Sequence, residues 1–110
     1  MTAHPRRLSL HSKWQIRIMF TIAQLEIFVE IVESGTFAAA AKRRGVTQGA
    51  VSNMIKYLEN KLETDLFFRD GMYIALTRAG EVFLMHARTI LDEVDRAVRA
   101  VHALRSHAKK

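Results

Sequence analysis

The sequence predicts a mainly α chain in which three short helices are followed by a β-hairpin and then by one long helix. Three observations predict this order. Apolar residues recur at spacings of three and four near residues 25–32, 51–62 and 83–104. Residues 66–76 switch to two short runs rich in aromatic and β-branched residues around Asp70-Gly71. Threonine and glycine stand at the breaks between these segments, where helices need caps.

Residues 1–18 have no clear period and contain the only proline, Pro5. They lack the continuous apolar stretch of a secretory signal and read as a basic, loosely ordered extension, in preference to a targeting peptide or a phosphate-grasping arm. From Met19 the pattern tightens. Thr21 with Gln24 forms a capping-box signature, and Leu25, Phe28, Val29 and Val32 supply the apolar stripe of a first helix that Gly35 ends. Thr36 caps a second helix running through Ala38 to Ala41 and on to about Arg44, whose small side chains let a neighbour approach closely. Gly45 closes it, and Val46 precedes Thr47, a turn of the length that joins a helix-turn-helix pair.

The third helix, from its N-cap Thr47 to Leu62, organises the rest. Val51, Ile55, Leu58 and Leu62 make a face to bury, and Gln48, Gly49, Ser52, Asn53 and Lys56 make the opposite one, with no carboxylate before Glu59. Such a surface suits a polyanion, because Gln and Asn can pair with adenine and Lys can reach guanine or phosphate. The plainer reading is a solvated polar face. Leu66 to Arg69, a turn at Asp70-Gly71 and Tyr73 to Leu76 then read as a hairpin, or wing, on which Arg69 is either a phosphate contact or an ordinary surface arginine. Residues 19–76 are therefore expected to be a winged helix-turn-helix domain.

Thr77 starts the last helix, expected to run to about residue 105 within a linker segment 77–110. Phe83, Ala87, Ile90, Val94, Ala97, Val101 and Leu104 alternate spacings of four and three, the seam of a coiled coil. Leu84, Leu91 and Val98 form a second stripe one position round. A helix apolar on two sides beside so small a domain predicts that one stripe packs inside the chain and the other on a second copy.

Composition narrows the function. The chain has 110 residues, no cysteine and a formal charge of +6. Disulfides, thiolate zinc sites and cysteine nucleophiles are thereby excluded, and a reducing cytoplasm fits. No run of 18 apolar residues offers a membrane span. Residues 36–57 carry Lys42, Arg43, Arg44 and Lys56 but no acid, which focuses positive potential on the third helix. His4, His11, His86, His102 and His107 show no metal-ligand spacing, and neither a phosphate-binding glycine loop nor a nucleophile elbow occurs. No enzyme, metal or cofactor is expected.

With these elements in place, the chain resembles the N-terminal DNA-binding domain and linker helix of LysR-type bacterial transcriptional regulators over about residues 20–105. The resemblance rests on Leu25 with Phe28, Gly35-Thr36-Phe37, Ala40-Ala41, Val46-Thr47-Gln48, Ala50, Ser52, Ile55, Leu58-Glu59, Leu66-Phe67-Phe68-Arg69, Leu76-Thr77 and Ala79-Gly80. It implies a sequence-specific regulator of transcription that binds double-stranded DNA in the bacterial nucleoid. Thr36, Thr47, Gln48, Gly49, Ser52, Asn53, Lys56 and Arg69 would contact bases or phosphates. A homodimer, or a higher oligomer, would form through the linker helix. The resemblance also implies an effector-binding domain beyond the linker, whereas this sequence ends at Lys110, so no small-molecule effector is expected on it.

Several residues depart from the family pattern. Gly49 replaces a common proline, Asn53 and Tyr57 replace frequent basic residues, and Met72 with Tyr73 do so in the wing, which predicts weaker phosphate attraction. Arg44 stands where leucine is usual and Glu63 where glycine is usual, which predicts a loss of stability at both. Two alternatives stay open: a truncated interaction module that pairs with full-length relatives without binding an operator itself, and the related DNA-binding half of molybdate-responsive repressors.

Overall fold

The computed structural model describes residues 20–70 and 73–108. The N-terminal extension expected over residues 1–18 lies outside the described residues, as do Gly71 and Met72.

Helix α1 (Ile22–Ser34) begins at Thr21, whose Oγ1 accepts the Gln24 N–H at 3.2 Å while the Gln24 side chain accepts the Thr21 N–H at 2.7 Å. This reciprocal pair satisfies two donors that lack helical partners. Leu25, Ile27, Phe28 and Ile31 are its buried residues. Val29 and Val32, expected in the stripe, are only half-buried. The arc is centred on Phe28 and Ile31, three residues apart, and the expectation had missed Ile27 and Ile31.

Helices α2 (Phe37–Arg44) and α3 (Gln48–Leu62) follow, and each of the three helices packs on the other two. Ala40 and Ala41 are buried, with Phe37 beside them, so α2 presents the thin face that its alanines predict. From α3, Val51, Ile55 and Leu58 are buried, while Leu62 is half-buried. Enclosing side chains the size of Phe28, Ile31, Ile55 and Leu58 contributes about 1.5–3 kcal/mol each. That burial fixes which way the other side of α3 faces.

Both α2 and α3 end in the same hydrogen-bond pattern. After α2, the Gly45 N–H donates to the Lys42 carbonyl and the Val46 N–H to the Ala41 carbonyl, with Gly45 left-handed at φ 70°. After α3, Glu63 donates to Asn60 and Thr64 to Glu59, with Glu63 left-handed at φ 57°. Among the described residues Glu63 is the one non-glycine residue with positive φ. It stands where the family resemblance places glycine.

Strands β1 (Phe67–Asp70) and β2 (Tyr73–Leu76) form an antiparallel hairpin in which Phe67 faces Leu76 and Asp70 faces Tyr73. Asp70 is therefore a strand residue rather than part of the turn, and Leu66 precedes the strand it was expected to open. Helix α4 (Arg78–Ala108) runs three residues beyond its expected end, about 46 Å in all. Thr77 ties it to the hairpin: its hydroxyl donates to the Asp65 carbonyl at 2.7 Å and accepts the Gly80 N–H at 2.9 Å. Gly80 is buried, and a β-carbon there would fall on the Leu66 carbonyl oxygen and lie 2.8 Å from Leu76 Cδ2.

On α4, Ala87 is completely covered within the chain, and Phe83, Leu84 and Leu91 are half-buried. Ala87 thus has no surface left for a second copy, which corrects its place in the expected seam. Beyond it the seam is open: exposure rises from 39% at Ile90 through Val94 and Val101 to 69% at Leu104, and Ala97 and Val98 are exposed as well. By contacts the chain divides into two units, residues up to 64 and residues from 65 onward, so the hairpin shares a unit with α4.

Candidate nucleic-acid interface

Two capped helix starts define the site in the first unit. Thr36 is extended at φ −144°, and its Oγ1 accepts the Ala39 N–H at 3.0 Å. Thr47 does the same for Ala50 at 3.1 Å. Each hydroxyl that accepts at a cap keeps its own hydrogen to donate outward, to an anion for example. Neither helix has an acidic residue in its first turn, so the partial positive charge of the helix start is not cancelled there. The glycine-closed end of α2 turns the chain within Gly45, Val46 and Thr47, placing α3 directly after it.

At 100° per residue, Gly49, Asn53, Lys56 and Asn60 fall in a sector about 60° wide, opposite Val51, Ile55 and Leu58. All four are exposed. Ser52, half-buried, lies about 40° outside that sector, and Gln48, exposed in the first turn, lies about 80° outside it on the side of Ile55. A β-carbon on Gly49 would have nothing nearer than Thr47 Oγ1 at 4.0 Å, so the backbone lies bare at this point. The structure thus gathers Thr47, Gln48, Gly49, Ser52, Asn53 and Lys56 on one helix, with Thr36 at the start of another in the same unit. Arg69 belongs to the second unit, where it is an exposed β1 residue opposite Ile74.

Three features escaped the sequence reading. Asn60 extends the polar sector by a turn; its spacing of four from Lys56 and seven from Asn53 is the signal that would have found it. Glu59, expected to open the acidic part of the polar face, is buried at 7% exposure. The sector therefore stays clear of carboxylate as far as Asn60. Beside it, Lys61 Nζ lies 5.4 Å from the centre of the Tyr57 ring, a cation–π contact.

The charge expectation needs correction. Residues 36–57 lack acid in sequence but not in space. Arg43 Nη1 lies 2.7 Å from Glu30 Oε2 on α1 and donates to Ser34 Oγ at 3.4 Å. Arg44 approaches Glu26 at 3.7 Å and Glu30 at 3.9 Å. All four cations are exposed, but two of them, Arg43 and Arg44, are thus offset by carboxylates of α1. Arg44, where the resemblance puts leucine, has acidic partners. Among the described residues no group of three or more His, Asp or Glu side chains is placed to hold a metal ion, and no helix is long and apolar enough to cross a membrane.

Residues 22–81 match the family described as bacterial regulatory helix-turn-helix protein, lysR family. The chain is 41% identical over 83 residues to a probable nitrogen assimilation transcriptional activator of Synechocystis sp., which covers 76% of this chain and 26% of that protein. It is also 41% identical over 90 residues to a probable RuBisCO transcriptional regulator of Cyanidioschyzon merolae, covering 79% and 30%. The chain spans less than a third of the length of these two relatives. Among solved structures, it resembles the chain in a CbnR DBD–DNA complex with a TM-score of 0.73 and 36% identity, over 77% of this chain and 98% of that one. A BenM DBD/catB site 1 DNA complex gives 0.75 and 29%, over 79% and 94%.

Proposed function

Because the chain belongs to the LysR family of bacterial regulatory helix-turn-helix proteins, we propose that it binds duplex DNA in a sequence-specific manner, laying α3 in the major groove. One observation carries this reading: the exposed side of α3 offers Gln48, Gly49, Ser52, Asn53, Lys56 and Asn60, and its nearest carboxylate, Glu59, is buried. Amides at this spacing suit adenine edges, and Lys56 suits guanine or phosphate. Thr36 and Thr47, capping two helix starts, hold the sugar–phosphate backbone, and Arg69 adds a contact from the wing. Two structural relatives of domain size are complexes with DNA, which supports the same partner here.

A second copy of the chain completes the binding unit. Ile90, Val94, Ala97, Val101 and Leu104 keep the spacing of a coiled-coil seam and are exposed. Two such helices side by side remove that surface from water and carry two copies of α3 to one duplex, giving half-sites about one helical turn apart. The activity is regulation of transcription, not catalysis, and its place is the nucleoid in the bacterial cytoplasm.

Selection from a pool of random duplexes tests the reading. Enrichment of a two-fold symmetric motif with half-sites about 10 base pairs apart is expected. A dimer that enriches no sequence would instead mark the chain as an interaction module.

A further inference from the structure

The ionic cluster between α1 and α2 contains a guanidinium that base reading does not use. Arg43 Nη1 sits 2.7 Å from Glu30 Oε2 and 3.4 Å from Ser34 Oγ, and the Ser34 hydroxyl itself donates to Glu30 Oε2 at 3.2 Å. The pair is lopsided: the Arg43 side chain is 61% exposed and the Glu30 side chain 20%. An anion arriving from solvent therefore meets the cation before it meets the carboxylate.

We propose that Arg43 is a further DNA-phosphate contact and that Glu30 is its competitor within the chain, occupying the guanidinium until a phosphate takes over. The inference rests on the duplex-binding reading above. Ser34 is two residues before Thr36, so its α-carbon lies within about 7.6 Å of that of the residue capping α2. The Arg43 guanidinium, touching Ser34, is already beside the segment where a phosphate on Thr36 would lie. A guanidinium presents the same fork of donors to phosphate as to carboxylate, so the exchange keeps its hydrogen bonds. With its guanidinium this exposed to water, the pair is screened and weakly held on the arginine side, so exchange is easy. Arg44, less exposed and farther from its carboxylates, keeps Glu30 and Glu26 company after Arg43 has moved. In the free protein the same contact mutes a positive patch that would otherwise raise non-specific affinity.

Binding to a labelled random-sequence duplex, followed by fluorescence anisotropy across a salt series, tests this. Arg43→Gln is expected to flatten the log–log salt slope by about 0.9, the share of one neutralised phosphate. Glu30→Gln is expected to tighten binding about two- to fivefold by removing the competitor. In the double variant Glu30→Gln/Arg43→Gln that gain should disappear. Glu63→Gln, which changes net charge equally on the same unit, measures the general charge effect, and thermal melting verifies that each variant folds. An unchanged slope in Arg43→Gln overturns the proposal, as does a gain from Glu30→Gln that survives without Arg43 or is matched by Glu63→Gln. Should the unaltered chain bind no duplex even at low salt, the duplex-binding reading fails and takes this inference with it.

Discussion

At the level of single residues, the clearest conflict between side chain and backbone is Glu63. It closes α3 with a left-handed backbone that glycine adopts freely and a residue with a β-carbon adopts at a penalty of about 1–2 kcal/mol. Part of the gain from Glu63→Gly is lost to the greater freedom of glycine in the unfolded chain. A net stabilisation of about 1 kcal/mol is expected, read as a rise in Tm of about 4–8 °C in thermal unfolding. The position was legible from sequence because helix closure follows a fixed pattern of donors, and only the residue filling it is unusual. Arg43 and Glu30 show the opposite limit. Thirteen residues apart, on helices whose packing no local period reveals, they could not be paired from sequence. The acid-free run 36–57 therefore looked more basic than the folded surface is.

At the level of elements, capping and apolar period located every helix to within a few residues, because both are short-range effects. The errors fell where tertiary packing decides. Ile27 and Ile31 are buried in α1 although Val29 and Val32 were named, and Ala87 on α4 is covered although its spacing put it in the open seam. Gly80 shows how an element boundary can depend on one missing atom. With the Leu66 carbonyl and Leu76 against it, no side chain fits where α4 begins. Gly80→Ala must push β1, β2 or α4 apart, and a loss of about 1–3 kcal/mol is expected, measured by thermal or denaturant unfolding. An unchanged Tm would show that the close approach at Leu66 is not a constraint on this junction.

Across the whole molecule, the proposed function draws on two surfaces that folding of a single chain leaves exposed: the polar sector of α3 and the apolar seam of α4 beyond Ala87. Their chemistry differs, and so do their partners. Val94→Lys places a charge in the middle of the seam, where a second copy would bury it. Monomers are expected in sedimentation at concentrations where the unaltered chain would form the proposed dimer, and a variant that still sediments as a dimer would move the interface elsewhere. Dimerisation alone, however, does not read sequence. In the proposed reading that task falls to α3, and the sharpest measurement compares affinity for the duplex selected from a random pool with affinity for an unrelated duplex, before and after Gln48→Ala and Asn53→Ala. Each substitution is predicted to reduce the discrimination by about 1–3 kcal/mol while leaving non-specific binding nearly unchanged. An unchanged ratio of specific to non-specific affinity in both variants would contradict the claim that this face of α3 reads base edges.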